Sequence, residues 1–266
     1  MNYPAVMGVV NVTPDSFYEA SRGVTTDEAI ARGRALFAAG ADVVDVGGES
    51  TRPGATPVDV EEELARVIPV VNVLARDGVV SIDTQKEAVA RAALEAGASI
   101  LNDVSSTLYG VAAAYGVRYV AMHRLENEQG MVLDPHYDDV VAEVSAFLED
   151  VATRARAAGV QDLWLDYGLG FGKNAEHNQT LLAATGHFVD LARRFDARLL
   201  VGASRKRFLS GNFGQNLPAE ERMEGTVAVH AWALEAGADV LRVHDVPVAV
   251  QLRELVRRPT SEVVLP

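Results

Sequence analysis

Short apolar runs alternate with longer amphipathic stretches along the chain. Each run has four to seven residues and is bounded by glycine or polar residues, as expected of strands that are buried on both faces. The predicted strands are 6–12, 42–46, 79–83, 100–104, 118–122, 163–166, 199–202 and 240–243. Between them apolar residues recur with the period of a helix, and the predicted helices include 26–39, 60–75, 85–96, 137–158, 178–195 and 219–236.

Strict alternation of strand and helix predicts right-handed crossovers and a parallel sheet. Eight strand–helix units in 266 residues favour a closed (β/α)8 barrel, the TIM barrel, over an open doubly wound sheet, because such barrels have roughly 250 residues. No linker or low-complexity stretch interrupts the pattern. We therefore expect an α/β protein with a single domain over residues 1–266.

Three predicted helix-to-strand junctions repeat one pattern: Ala-Gly-Ala, then a short apolar run, then a polar residue five positions after the glycine. The junctions run from Gly40 to Asp45, from Gly97 to Asn102 and from Gly237 to Arg242. Glycine suits the left-handed conformation that ends a helix, and the polar residue falls at the carboxyl end of the strand. Catalytic groups collect at that edge of parallel α/β folds, so the repeat indicates an enzyme.

The other predicted strands also end in groups that can donate or accept hydrogen bonds. In chain order these are Asn11, Asp83, Met122 with His123, Asp166, Ser204 with Arg205 and Lys206, and His244 beyond Arg242. If the barrel closes, all of them converge on one mouth. An Asp after a strand is often only a helix cap, and we expect this of Asp103.

Two kinds of ligand fit these residue types. Asp83, Asn102 and Asp166 suit a flat heterocycle with several polar edge groups, such as a pterin or a purine. Arg242 and His244 point the same way by strand alternation and suit a diphosphate, which barrels often bind after the seventh and eighth strands.

Further groups suit an acidic ligand and a metal ion. Thr51 and Arg52, in a Gly-Gly-Glu-Ser-Thr-Arg-Pro-Gly segment, offer a hydroxyl and a guanidinium for a carboxylate or phosphate. The segment from Ser204 to Arg207 is either a solvated basic run or a site for a ring carbonyl and an anion. The amide oxygen of Asn11 could bind Mg²⁺, which keeps most of its waters, although the Thr-Pro-Asp-Ser that follows is also ordinary turn chemistry.

Composition excludes several classes of protein. The net charge of −13 argues against nucleic acid as the main partner. No run of about 18 apolar residues predicts a membrane span, and the first residues lack the pattern of a signal peptide. The absence of cysteine excludes disulfides and fits a cytoplasmic location.

These motifs closely resemble the dihydropteroate synthase family. The resemblance covers about residues 6–246 and is carried by segments 11–17, 45–54, 81–84, 102–104, 168–173, 204–206 and 242–246. It implies a TIM barrel, usually a homodimer, that condenses a pterin-methyl diphosphate with p-aminobenzoate in the presence of Mg²⁺. The products would be 7,8-dihydropteroate and pyrophosphate.

The resemblance also implies roles for individual residues. The pterin would be held by Asp83, Asn102, Asp166 and Lys206, with Met122, Gly170 and Phe171 lining its slot. The diphosphate and p-aminobenzoate would contact Asn11, Thr51, Arg52, Ser204, Arg242 and His244, and Asn11 would bind Mg²⁺. The groups implied in catalysis are Asp45, Asp83, Lys206, Arg242 and His244.

Departures from the family pattern leave a second hypothesis open. Residues 18–21 replace a glycine-containing loop, Tyr167 replaces a proline, and residues 124–127 differ after the fifth strand. The alternative is a pterin-binding relative with little or no synthase activity. A pterin-dependent methyltransferase is disfavoured, because Arg242 and His244 suit a diphosphate leaving group.

Overall fold

Eight parallel strands close into a barrel in the computed structural model, which describes residues 4–13, 25–50, 56–127, 130–131, 134–210 and 217–256. The strands are β1 (Ala5–Asn11), β2 (Val43–Gly47), β3 (Val80–Asp83), β4 (Ile100–Asp103), β5 (Arg118–Met122), β6 (Leu163–Asp166), β7 (Arg198–Val201) and β8 (Val240–Val243). Each strand pairs with its sequence neighbours, and β8 closes the ring against β1. The predicted (β/α)8 barrel is confirmed.

Side chains that point into the barrel form an apolar plug with polar groups above it. The plug contains Ala5, Met7, Val43, Ile100, Val120, Trp164, Leu200 and Val240. Two residues further along the same strands, side chains point the same way because strand residues alternate in direction. Those positions are occupied by Val9, Asp45, Asn102, Met122, Asp166, Gly202 and Arg242. The apolar plug therefore lies directly beneath the polar groups of the barrel mouth.

Helices cover the outside of the barrel. The described ones are α1 (Thr26–Ala38), α2 (Val60–Leu74), α3 (Glu87–Glu95), α4 (Tyr109–Tyr115), α5 (Val140–Ala157), α6 (Ala175–Ala183), α7 (Thr185–Arg194), α8 (Met223–Glu235) and α9 (Val246–Val256). None of the described helices is long and apolar enough to cross a membrane. The predicted start of the helix at residue 26 is confirmed, since Thr25 is the N-cap of α1 and forms a capping box with Glu28.

Some predicted helix bounds were wrong for local reasons. The stretch predicted as one helix over 178–195 is two helices that break at Ala184, just before the weak helix formers Thr185 and Gly186. Residues 219–222 form a 3-10 turn before α8. Helix α5 begins later than predicted because Asp139 caps it through the backbone N–H groups of residues 141 and 142.

The three Ala-Gly-Ala junctions have the backbone that the pattern predicts. Gly40, Gly97 and Gly237 have φ values of 97°, 112° and 101°, a region that side-chain-bearing residues avoid. Each glycine therefore ends a helix and turns the chain directly into the next strand.

Candidate active site

The guanidinium of Arg242 joins two carboxylates at the barrel mouth. Its Nε donates to Asp45 Oδ2 at 2.7 Å, and its Nη2 donates to Asp83 Oδ2 at 2.6 Å. The amide nitrogen of Asn102 donates to the same Asp45 oxygen at 3.0 Å. The polar residues of all three Ala-Gly-Ala junctions therefore meet in one cluster, although they are far apart in sequence.

The close contacts in this cluster shift the pKa values of Arg242 and Asp83. Arg242 is partly buried, which acts to lower its pKa, but Asp45 and Asp83 outweigh this and raise it above the ordinary value. Burial raises the pKa of Asp83 to about 7, against the opposing effect of Arg242 and with the help of the negative charge of Asp45. Two carboxylates share one cation, so Asp83 is close to gaining a proton near neutral pH.

An acidic and a basic residue, Asp166 and Lys206, also lie on the β6 and β7 side of the mouth. Asp166 Oδ1 accepts a hydrogen bond from the Gly168 N–H at 2.7 Å, and burial raises the pKa of this carboxyl. Burial lowers the pKa of Lys206 to about 8, although Asp166 opposes the shift. The Lys206 ammonium donates to the Leu169 carbonyl and lies 4.4 Å from the centre of the Phe171 ring.

Gly202 leaves room between these groups. A Cβ at this position would lie 3.5 Å from Asp166 Oδ2, 3.8 Å from Arg242 Cβ and 4.0 Å from Lys206 Nζ. Polar atoms of Asp166 and Lys206 thus lie beside a point where the chain has no side chain, which fits the close approach of a flat ligand.

Carbonyl groups of the glycine-rich segment after β6 bind the ammonium of Lys173. This group donates to the carbonyls of Gly168 and Phe171 at 2.9 and 3.1 Å, and it lies 2.9 Å from His123 Nδ1. Burial lowers the pKa of Lys173 to about 7 and that of His123 to about 3. His123 is therefore a neutral structural residue, and Lys173 fixes the loop that carries Gly170 and Phe171.

The loops after β7 and β8 are joined by Ser204 and His244. The Ser204 hydroxyl lies 3.1 Å from His244 Nδ1 and accepts the His244 backbone N–H at 3.2 Å. Between Ser204 and Lys206, Arg205 adopts a φ of 59°. This strained residue turns the chain so that its neighbours face the mouth.

The remaining predicted site residues differ in where they lie in the structure. Asn11 ends β1 beside Gly47 of β2, at the mouth. Met122 ends β5, and its backbone is held by the Ser106 hydroxyl. Thr51 and Arg52 lie outside the described residues. Within the described part of the chain, no group of three or more His, Asp or Glu side chains could hold a metal ion.

Asp103 has a structural role, although it organises the loop before α4 and is not the helix cap that the sequence predicts, since α4 begins after Leu108 without a side-chain cap. Its two oxygens accept the backbone N–H groups of Ser105, Thr107 and Leu108, and Tyr119 donates to it from beneath. It faces away from the charged cluster, which supports the distinction between structural and site carboxylates.

Sequence reasoning missed a group of charged residues next to the site. Lys86 of the β3–α3 junction pairs with Glu49 and with the fully buried Glu63. The chain has only three lysines, so the scarcity of this residue was an available signal.

Comparisons with known proteins identify the family of this chain. The model of the pterin binding enzyme family matches residues 7–244. The dihydropteroate synthase of Escherichia coli (strain K12) is 41% identical over 271 residues, covering 98% of this chain and 93% of that protein. A solved Xanthomonas albilineans dihydropteroate synthase with 4-aminobenzoic acid has a TM-score of 0.86 and 43% identity, covering 95% of this chain and 91% of that one. Another, in complex with 7,8-dihydropteroate, has a TM-score of 0.81 and 41% identity, covering 95% and 92%. This chain belongs to the dihydropteroate synthase family of pterin-binding enzymes.

Proposed function

We propose that the protein condenses 6-hydroxymethyl-7,8-dihydropterin diphosphate with p-aminobenzoate to give 7,8-dihydropteroate and pyrophosphate. The observation that carries this proposal is the cluster of Arg242, Asp45, Asp83 and Asn102 at the mouth of the barrel. Its support is the family membership, together with relatives solved with 4-aminobenzoic acid and with 7,8-dihydropteroate.

The pterin would lie over Gly202, between the Arg242 cluster and the side chains of Asp166 and Lys206. Asp83, Asn102 and Asp166 present acceptors and donors to the ring edge, and Lys206 can turn from the Leu169 carbonyl to a ring oxygen. Met122, Gly170 and Phe171 would supply the apolar walls of the slot. A flat ring in an apolar slot with a few fixed polar partners is the usual form of heterocycle recognition.

The diphosphate would lie towards Asn11, Ser204 and His244. Mg²⁺ would supply positive charge to the leaving group, and the Asn11 amide oxygen fits an ion that takes most of its ligands from water and phosphate. The Asn11 amide oxygen would be a sufficient protein ligand for such an ion, so a cluster of metal-binding carboxylates would not be needed. Thr51, Arg52 and Ser204 would border the p-aminobenzoate site.

The reaction breaks the bond between the pterin methylene carbon and the diphosphate oxygen. The methylene carbon carries positive charge as the bond breaks, and Asp45 and Asp83 stabilise that charge from below. Arg242 and His244 stabilise the departing diphosphate. The aromatic amine forms the new C–N bond, and its surplus proton leaves to solvent or to the diphosphate.

Three further expectations from the sequence are part of the proposal. The family resemblance supports a homodimer, and Trp232 on α8, which is 57% exposed, is an apolar group that a second copy could cover. Absence of cysteine supports a cytoplasmic location. The closed barrel supports action as one domain.

A coupled pyrophosphate-release assay tests the proposal. Purified protein with Mg²⁺ and the pterin diphosphate should release pyrophosphate only when p-aminobenzoate is added, and mass spectrometry should find dihydropteroate. Folded protein that binds the pterin but neither binds p-aminobenzoate nor forms product would instead support the non-synthase alternative. The level of identity to dihydropteroate synthases favours the synthase.

A further inference from the structure

A buried carboxylate on α2 holds the chain that follows β3. Glu63 is fully buried, and both of its oxygens are engaged. Its Oε1 accepts the Thr84 hydroxyl at 2.7 Å, and its Oε2 accepts from the Lys86 ammonium. Thr84 and Lys86 come one and three positions after Asp83, the last residue of β3. One side chain of the helix layer therefore fixes the backbone directly after a residue that we place at the pterin.

Thr84 connects this carboxylate to two residues of the mouth. Its hydroxyl oxygen donates to Glu63 and also accepts the Lys86 backbone N–H at 3.2 Å. Its own backbone N–H donates to the carbonyl of Asn102, in β4, at 3.1 Å. Asp83 and Asn102 are partners in the pairing of β3 with β4, and both belong to the charged cluster. A displacement of Thr84 would therefore move both of these polar residues.

Glu63 itself has little freedom to move. A Cβ on Gly48 would lie 2.9 Å from the Cγ of Glu63 and 2.7 Å from Val67, so the backbone after β2 packs directly on α2. The Lys86 ammonium is also bound by Glu49 Oε2 at 3.0 Å. Burial acts to lower the pKa of Lys86, but hydrogen bonds with Glu63 and Glu49 outweigh this and raise it. The lysine thus keeps its charge at neutral pH and remains the counter-ion of the buried carboxylate.

We propose that Glu63 is a positioning residue for pterin binding that acts through Thr84. The residues that it positions are Asp83 and Asn102. Because Glu63 is fully buried, it acts through its neighbours and does not contact the substrate. Burying an ion pair is costly, and apolar residues of similar volume often stabilise a protein equally well or better. Stability alone therefore does not explain the pair, whereas the fixed directions of its hydrogen bonds do.

This inference rests on the proposed function, and Thr84→Val tests it by removing one hydroxyl. The variant keeps the branched shape of the side chain but breaks the connection between Glu63 and the end of β3. Calorimetry should find that affinity for the pterin diphosphate falls by about tenfold or more, because binding groups must be held within a fraction of an ångström. Thr84→Ser keeps the hydroxyl and should bind nearly as well as the wild type. Equal losses in the two variants would overturn the proposal.

Thr185→Val is the matched control for a general loss of stability. The Thr185 hydroxyl is also buried and hydrogen-bonded, but it lies in the helix layer, where it donates to the Leu182 carbonyl. This variant should lose stability and keep its pterin affinity. A loss of affinity as large as that of Thr84→Val would show that destabilisation alone is the cause, and the positioning role would be wrong.

A double-mutant cycle tests whether Glu63 acts through Thr84. Glu63→Met keeps the length of the side chain but removes both oxygens, and it should also weaken pterin binding. Combining it with Thr84→Val should weaken binding no further than the poorer single variant, because both changes break the same connection. Losses that multiply in the double variant would mean that the two residues act independently and would overturn the proposal.

Hydrogen exchange of the wild type and Thr84→Val provides a readout that does not depend on substrate. The Lys86 amide loses its acceptor in the variant, and the Thr84-to-Asn102 bond loses its support. The amides of residues 84 and 86 should therefore exchange about tenfold faster or more, with β6 and β7 unchanged. If exchange responds in this way but the wild type binds no pterin, the proposed function is wrong. Unchanged exchange at both amides would overturn the positioning role whatever the activity.

Discussion

Arg242 Nε lies 2.7 Å from Asp45 Oδ2, although the two residues are 197 positions apart in the chain. The same guanidinium reaches Asp83, so a single cation on the eighth strand organises carboxylates from the second and third. The positive charge of Arg242, which the sequence predicts to bind a diphosphate, is already partly neutralised by Asp45 and Asp83. Arg242 therefore orders the two carboxylates at the mouth, in addition to its proposed contact with the leaving group.

Arg242→Met should damage both stability and catalysis. Removing the cation leaves Asp45 and Asp83 buried without a counter-charge, which should lower the free energy of unfolding by about 3–5 kcal/mol. Loss of its stabilising charge should lower kcat by about 10²–10³-fold in the pyrophosphate-release assay. Chemical denaturation and steady-state kinetics measure the two effects.

The exposed pair of Arg91 and Glu87 provides the control for this prediction. Arg91→Met should change stability by no more than about 1 kcal/mol, as for other surface ion pairs. The double variant Asp45→Asn, Arg242→Met should recover part of the lost stability, because one uncompensated carboxylate is gone. No recovery would show that charge balance is not the reason for the loss.

Pterin affinity should pass through a maximum between about pH 7 and about pH 8. Below this window Asp83 gains a proton and stops accepting from the ring, since its pKa is about 7. Above it Lys206 loses its proton, since its pKa is about 8. Calorimetric titrations across this range measure the profile, and Asp83→Asn should remove its acidic limb. A flat profile in the wild type would contradict the assignment.

Asp83 should also make folding stability depend on pH. Its pKa in the folded protein lies above the ordinary value of 3.8, so between 3.8 and about 7 the folded state binds more protons than the unfolded state. Stability should therefore fall as pH rises through this interval, by the linkage between proton binding and folding. Denaturation of wild type and Asp83→Asn at several pH values isolates the contribution, which should vanish in the variant.

Gly168→Ala should be strongly destabilising, whereas Gly186→Ala should not. Gly168 has a φ of 70°, and a Cβ would lie only 1.8 Å from the His123 carbonyl oxygen. Strain and overlap together should cost about 3 kcal/mol or more. Gly186 lies in α7 with nothing within 4 Å of an added Cβ, so alanine there should be neutral or stabilise by up to about 1 kcal/mol. Equal unfolding midpoints for the two variants would contradict this reasoning.

Tyr167→Phe should affect stability but not pterin binding. Although Tyr167 follows Asp166, its ring is buried in the helix layer, where it stacks on Phe188 at 4.9 Å and its hydroxyl lies 3.2 Å from the Thr185 hydroxyl. Loss of this hydrogen bond should cost about 0.5–1.5 kcal/mol. Calorimetry should find unchanged pterin affinity, and a clear loss would show that the ring reaches the site after all. A Thr185→Val variant provides the partner for a double-mutant cycle.

The sequence predicted the barrel and the convergence of its strand ends because both follow from local periodicity. The Ala-Gly-Ala junctions predict that Asp45, Asn102 and Arg242 lie at the barrel mouth, and the structure brings these three side chains into one cluster. Which atoms meet could not be predicted, since the pairing of Arg242 with Asp45 depends on barrel closure and register. The direction of the Tyr167 side chain could not be predicted either, because a residue that follows a strand can face either the mouth or the helix layer.

Some helices were predicted less well, because their sequence pattern is short or merges with that of a neighbouring strand. Helix α4 has only seven residues, too few for a clear period, and α9 follows β8 so closely that its start is merged with the strand end. The role of Lys86 depends on Glu49 and Glu63, which lie 37 and 23 positions away, and no local pattern records such distances.

Arg242 is synthesised long after the carboxylates that it neutralises, since Asp83 and Asp45 come 159 and 197 positions earlier. While the chain is being made on the ribosome, these acidic groups have no basic partner on β8 and must remain hydrated. They can enter the interior only when the eighth strand has been translated and has closed against the first. The charged cluster can therefore form only after β8 has closed the barrel, and a chain that stops before β8 lacks its cation.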